Sequence, residues 1–334
     1  MPAKILVVRL SALGDIVLTT PVLKALKKEY PEAQIDFLVK QQFAEVIRHH
    51  KALSRVIEFP AKGDFKDLQK CRAEIVANAY DLILDLHANM RSRFITFANG
   101  TARVKRFKKN VVRRFVLVKS GIDLYRACSS VIQRYLDVAE LLPGKQKIAP
   151  PEVFIPKSTD QKVASLLSKW YSGSKIVVLA PGAGFFTKRW PAASFRTCNQ
   201  KLVNAGYYTC ILGSKEEAEL GDAIGGEIDN CLNLCGKLSI LESAAVLRRA
   251  CRAITNDSGL MHISEAVGTP VIALFGSTVK QLGFAPVLPQ SRVIEVAGLK
   301  CRPCSHVGRS QCPQTHFKCM NGITPDNVLN SIFA

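Results

Sequence analysis

The sequence predicts a parallel α/β protein built as two doubly wound halves. Three features lead there. Short β-branched runs alternate with segments of helical period, a proline-rich break interrupts them near the middle of the chain, and the alternation restarts beyond it. A length of 334 residues suits two domains. With 48% hydrophobic and 22% charged residues, disordered and fibrous classes are excluded.

Lys4–Arg9 (KILVVR) reads as a buried strand. Residues 15–29 then place Ile16, Leu18, Val22, Leu23 and Leu26 at near-helical spacing, with Pro21 marking a kink or a first-turn boundary. Gln34–Val39 is the next strand, followed by a helix near 42–49 and a short strand at Arg55–Phe59. A helix over 65–79, a strand at Asp81–Leu86 and an amphipathic helix over 126–142 complete the first half. Three prolines within PPEVFIP (150–156) predict a linker or edge element. Lys175–Ala180 opens the second half, leading through PGAGFFTKRWP to a helix from about 192. Tyr207–Leu212 is a strand, residues 215–225 and 239–250 are helical, Cys251–Thr255 is a strand, Ser258–Val267 a helix and Pro270–Phe275 a strand. The domains expected are 1–155 and 156–334, with the last helix able to pack back on the first. In open parallel sheets, ligands bind beyond the carboxyl ends of the strands.

Charge is uneven. The chain carries a net charge of +19, and its first 150 residues hold 27 basic but only 14 acidic side chains. No acid stands between Asp85 and Asp123, whereas Arg91, Arg93, Arg103, Lys105, Arg106, Lys108, Lys109, Arg113, Arg114 and Lys119 do. Such a block attracts polyanions: nucleic acid, anionic lipid headgroups or phosphorylated sugars. A solvated surface is the plainer alternative. No nucleic-acid module signature accompanies the block, so nucleic acid is not an expected partner. The start, MPAKILVVRLSALGD, has its apolar run broken by Arg9 and Asp15 and predicts a cytosolic protein rather than a secretory leader.

Seven of the eleven cysteines (Cys71, Cys128, Cys198, Cys210, Cys231, Cys235 and Cys251) are scattered, mostly in apolar segments, and read as reduced core residues. Cys301, Cys304, Cys312 and Cys319 form C-x2-C-x7-C-x6-C, with His306 and His316 nearby. Zinc or an iron–sulfur cluster can occupy such spacing. A loop stiffened by reduced thiols is the favoured reading.

Three strand-to-helix loops carry the candidate chemistry. In Leu10–Asp15, Gly14 permits a tight turn, and Asp15 is either a helix cap or a general base. In Pro181–Pro191, small residues let backbone amides approach a phosphate while Thr187, Lys188 and Arg189 add donors and charge. Neither GxxxxGK[ST] nor GxGxxG is present, which disfavours a P-loop nucleotidase and a nicotinamide dehydrogenase. In Asn256–His262, Asp257 and Ser258 suit a helix start and Gly259 permits close ligand approach. His262, by itself, is as compatible with a structural role.

The order RLSALGDIVLTTPVLKAL, APGAGFFTKRWP, TNDSGLMHISEAVGTPVIALFG and CRPC…C…C, from Lys4 to about Ile332, resembles glycosyltransferase family 9, the ADP-heptose:lipopolysaccharide heptosyltransferases. The resemblance implies a GT-B fold: two Rossmann-like doubly wound domains facing a central cleft, acceptor on the first and nucleotide sugar on the second. It implies Asp15 as catalytic base and Lys188 on the diphosphate. Asp257, Ser258, Gly259 and His262 would lie at phosphate and sugar, Glu217 at the nucleoside, and Gly182 and Ala183 would offer backbone donors where some members have hydroxyls. It also implies an inverting transfer with no covalent intermediate. No cofactor is expected, since no DxD motif stands in a suitable place. The implied acceptor is lipopolysaccharide core. Arg103, Lys105 and Arg106 are the residues expected to meet it and the anionic inner face of the inner membrane. The first alternative is a glycosyltransferase of the same family with another sugar donor; a sugar-nucleotide epimerase, another two-domain α/β enzyme, and a polyanion-binding protein are the lesser rivals.

Overall fold

The computed structural model describes residues 2–97, 100–125, 130–141, 149–170, 173 and 175–333. The chain divides into two compact units, Met1–Asn110 with Ser130–Phe154, and Val111–Ser129 with Ile155–Ala334.

The first unit holds a parallel sheet of five strands: β1 (Lys4–Val8), β2 (Gln34–Lys40), β3 (Arg55–Phe59), β4 (Leu82–Asp85) and β5 (Arg103–Arg106). Their order is β3-β2-β1-β4-β5, with Ile5 of β1 opposite both Ile35 and Leu82. Central strands are buried on both faces, so β1 reads as an unbroken apolar run rather than an alternation. The helices are α1 (Leu13–Val17), α2 (Thr20–Glu29), α3 (Glu45–Arg48), α4 (Phe65–Ala77) and α5 (Met90–Ile95). The single helix expected over 15–29 is two: Pro21 has no amide hydrogen to give a continuing helix, and it falls in the first turn of α2, where none is needed. The chain then leaves this unit through α6 (Val111–Ser120), which belongs to the second, and returns for α7 (Val131–Ala139). Of the helix expected over 126–142, residues 126–129 and 142, and with them Cys128, lie outside the described residues. The proline-rich segment forms an irregular strap. Its Glu152 amide donates to Thr20 Oγ1 at 2.9 Å and its carboxylate meets Lys24 at 3.4 Å.

The second unit begins with α8 (Lys157–Ser168) and holds six parallel strands: β6 (Ile176–Ala180), β7 (Tyr208–Ile211), β8 (Cys231–Asn233), β9 (Arg252–Asn256), β10 (Val271–Phe275) and β11 (Arg292–Glu295). The order β11-β10-β9-β6-β7-β8 is that of a Rossmann sheet, with the strand order reversing between β6 and β9. Around it stand α9 (Ala192–Asn204), α10 (Ala218–Gly225), α11 (Ile240–Arg249), α12 (Gly259–Ala266), α13 (Lys318–Asn321) and α14 (Pro325–Phe333). The last helix packs on α9, β10 and β11 of its own unit, where the sequence reading allowed a return to the first. Val328 and Leu329 bury there beside Phe195 and Leu202, enough apolar surface to fix α14 in place. Among the described residues, no helix is long and apolar enough to cross a membrane.

Candidate functional site

Each sheet reverses its strand order at its centre, and the loops leaving the carboxyl ends of those central strands carry the candidate residues. In the first unit these are the loops after β1 and β4. Asp15 lies in the first turn of α1. Its Oδ1 meets Arg9 Nη2 at 2.7 Å and accepts from Tyr135 Oη at 3.1 Å, while its Oδ2 accepts the Ala12 amide at 3.3 Å. Arg9 is fixed in turn, donating from Nη1 to the Leu86 carbonyl at 2.6 Å. Tyr135 is fully buried, and burial followed by the nearby Asp15 charge pushes its phenol above the ordinary range, so it serves as a donor. One carboxylate oxygen is therefore held by strong donors, and the other has a single long contact. His87, after β4, has its imidazole pushed down to about 4 by burial, then by the cations Arg9 and Lys109. It is neutral beside Asp15 at physiological pH.

In the second unit the loops after β6 and β9 are bound into one piece. Asn256, the last residue of β9, donates to the Pro181 carbonyl at 2.7 Å and accepts the Trp190 amide at 3.1 Å, spanning both ends of the 181–190 loop. Arg189 Nε donates to the Ala183 carbonyl at 2.9 Å. Lys188 Nζ meets Asp257 Oδ2 at 2.8 Å, and Thr278 Oγ1 donates to the same oxygen at 2.8 Å. Ser258 caps α12 without donating or accepting at that helix's own amides; its buried Oγ has no hydrogen-bond partner among the described residues. Such an orphan hydroxyl at a helix start, beside an anchored ammonium, suits an anionic ligand. Gly259 opens α12, and His262 is buried one turn on, its ring 6.3 Å from that of Phe284. Glu217 accepts the Ser214 amide at 2.7 Å and lies against Gly182, where a Cβ would overlap the carboxylate. The residues expected at a nucleotide sugar thus fall on neighbouring loops of a single sheet.

The cationic residues expected at the acceptor are arranged differently. On edge strand β5, Lys105 Nζ lies 2.7 Å and Arg103 Nη2 3.6 Å from Glu140 Oε2. Arg106 donates to Thr96 Oγ1 at 3.0 Å and stands 3.7 Å from the buried Asp85. Lys105 and Arg106 turn toward carboxylates of their own unit, so they offer less free charge than the sequence block implies. The segment 301–319 braces the 181–190 loop. Phe317 stacks on Phe186, the Arg309 amide donates to Thr187 Oγ1 at 2.8 Å, and Arg302 donates to the carbonyls of Phe275 and Thr278. Cys301 Sγ lies 3.9 Å from His316 Nε2, and burial, then the neighbouring thiols, push Cys319 up to about 11. No group of three or more His, Cys, Asp or Glu side chains arranged to hold a metal occurs among the described residues.

The sequence alone assigns no site role to Arg9, Tyr135, Thr278 or Asn256. Arg9 closes an otherwise apolar strand and Asn256 opens a quoted motif, so both left a trace. Tyr135 lies 120 residues from Asp15, and nothing local marks it.

Two doubly wound units, one presenting an anchored carboxylate and the other a small-residue loop with lysine and an open helix start, fit an enzyme that acts on a sugar nucleotide. The chain belongs to glycosyltransferase family 9 (heptosyltransferase), whose model matches residues 41–314. It is 26% identical to lipooligosaccharide heptosyltransferase 2 of Haemophilus influenzae, over 98% of each chain. In structure it is similar to E. coli ADP-heptose lipopolysaccharide heptosyltransferase II, with a TM-score of 0.78, 21% identity and coverage of 99% and 97%. A second E. coli heptosyltransferase, solved with ADP-2-deoxy-2-fluoro heptose, matches with a TM-score of 0.70, 18% identity and 99% coverage of both chains.

Proposed function

We propose that this enzyme moves a heptose from ADP-heptose to the inner core of lipopolysaccharide, at lipid A-Kdo or a heptosyl acceptor, with inversion at the anomeric carbon. It works in the cytoplasm, peripherally on the inner face of the inner membrane. The observation that carries the reading is Lys188 held on Asp257 beside the unpartnered Ser258 hydroxyl, at the point where the second sheet reverses. The relatives' names and the ADP-sugar analogue held by the E. coli neighbour support the donor class.

The acceptor hydroxyl is a weak nucleophile while protonated. Asp15 takes its proton on Oδ2 as the oxygen attacks the anomeric carbon, and Arg9 and Tyr135 keep the carboxylate aimed. The bond to ADP breaks as charge grows on the β-phosphate. Lys188, the amides of Gly182 and Ala183, and the helix start at Ser258 and Gly259 meet that charge, with Glu217 at the nucleoside and His262 at the sugar. Asp257 orients Lys188. This reading requires no zinc, iron–sulfur cluster or divalent ion, and turnover is expected to persist in EDTA. Arg103, Lys105 and Arg106 remain the residues proposed to meet the acceptor's phosphates. The test is a screen of ADP-heptose and UDP-sugars with a core-oligosaccharide acceptor, read by mass spectrometry. Acceptor gaining one heptose from ADP-heptose alone is the expected result. Transfer only from another sugar nucleotide, or donor conversion without acceptor, overturns it.

A further inference from the structure

Helix α6 has a sidedness that catalysis does not explain. Its inner side packs on the second unit: Leu117 is buried with Tyr125 against Val279 and Leu282. Its outer side is apolar and open to solvent, with Val111 58%, Val112 73% and Phe115 60% exposed. The chain continues in kind, with Ile122 57% and Leu124 40% exposed. Monomeric proteins seldom leave such residues together in water. Arg113 and Lys119 are exposed among them, Lys108 and Lys109 precede them, and no acid occurs between Asp85 and Asp123.

We infer that the outer face of α6 docks on an anionic lipid surface, with Val111, Val112 and Phe115 entering the headgroup–acyl boundary while the flanking Lys and Arg meet lipid phosphates. This deepens the membrane part of the function proposed above and rests on it. Exposed apolar side chains flanked by exposed Lys and Arg supply the two things interfacial binding draws on, apolar area to bury and attraction to anionic headgroups. Charge selects the partner: a stretch with no acid between residues 86 and 122, rich in Lys and Arg around exposed apolar side chains, complements anionic headgroups over acyl chains. The docking element thus belongs to the second unit and takes in the far end of the basic block, whereas the residues expected at the acceptor, Arg103, Lys105 and Arg106, lie on β5, where Lys105 and Arg106 have carboxylate neighbours.

The test is sedimentation of the full-length protein with phosphatidylcholine vesicles, with or without phosphatidylglycerol and lacking any saccharide acceptor. Wild type is expected to pellet with the anionic vesicles, partly resisting salt because apolar insertion is not screened. Val112→Glu with Phe115→Glu is expected to lower partitioning about tenfold. Arg113→Glu with Lys119→Glu is expected to lower it at low salt, with little further effect at high salt. Both pairs are solvent-exposed, and all variants are expected to transfer sugar to a deacylated, water-soluble acceptor at the wild-type rate. Equal binding by wild type and Val112→Glu/Phe115→Glu overturns the inference. So does wild type that ignores anionic vesicles, or that binds a labelled oligonucleotide in their place. Failure of wild type to transfer heptose to the soluble acceptor overturns the proposed function instead, and that result is read separately from the vesicle binding.

Discussion

The two oxygens of Asp15 are not equivalent. Oδ1 is held by Arg9 at 2.7 Å and Tyr135 at 3.1 Å, so Oδ2, with one amide at 3.3 Å, is the oxygen free to take a proton. Asp15→Ala is expected to lower kcat by about 10²–10⁴ while leaving ADP-heptose binding nearly intact, because a general base acts in the transition state. Turnover within threefold of wild type would remove Asp15 from the role. Lys188→Ala is expected to weaken ADP binding and slow turnover together, since an ammonium on a diphosphate acts in both states; unchanged ADP affinity by calorimetry would move the anchor to Arg189 or the loop amides. Beside Asp15, His87 gives a pH signature. Its pKa in the fold is about 4, lowered first by burial and then by Arg9 and Lys109, against an ordinary value near 6.5. Between those values the unfolded chain binds the extra proton. The stability due to neutral His87 is therefore complete above about pH 6.5 and is lost as pH falls toward 4. Urea midpoints measured over that window should fall less steeply for His87→Gln than for wild type; parallel curves would assign the acid limb to other groups.

At the scale of elements, what the sequence disclosed follows burial. Strands β1, β4, β6 and β10 lie inside their sheets and are apolar throughout or nearly so, and each is legible as a run. The strands that escape such a reading, β5 (RVKR), β8 (CLN) and β11 (RVIE), are all edges, short and partly exposed; in β5 and β11 charge protects against pairing with other chains. The loops after β6 and β9 are legible for a related reason: they leave central strands and carry small residues directly after an apolar run. Gly182 shows the constraint. A Cβ at 182 would overlap the Glu217 carboxylate, whereas one at 184 would meet nothing within 4 Å. Gly182→Ala is expected to displace Glu217 and raise the donor KM severalfold, and Gly184→Ala to leave it unchanged. Equal effects, in steady-state kinetics with donor varied, would show that loop flexibility rather than Glu217 placement is what Gly182 provides. The contacts of Tyr135 and Thr278 were not legible, because tertiary packing brings together residues that no periodicity relates.

For the whole molecule, the chain passes between units more than once. A division after residue 155 follows the proline-rich strap, but α6 and Tyr125 pack with the second unit although both flanking stretches belong to the first. No local pattern announces this, since α6 resembles any half-buried helix until its contacts are known. The packing is nonetheless testable, because both tryptophans lie in the second unit: Trp190 in its main core and Trp170 against Tyr208. Tryptophan fluorescence therefore follows that unit's unfolding, and far-ultraviolet circular dichroism follows both. Leu117 is 3% exposed in a small satellite cluster, and Leu117→Ala is expected to cost about 2 kcal/mol, near the low end for buried leucine. The fluorescence midpoint in urea should fall accordingly, although residue 117 stands in the first half of the sequence. Ile75→Ala removes a residue buried in the first unit's core, and it should lower the circular dichroism midpoint with a smaller change in fluorescence. The reverse result, with Ile75→Ala moving the tryptophan signal and Leu117→Ala leaving it in place, would return α6 to the first unit. The anchor for its exposed face would then be lost as well, since Val111, Val112 and Phe115 are held outward by the packing of Leu117.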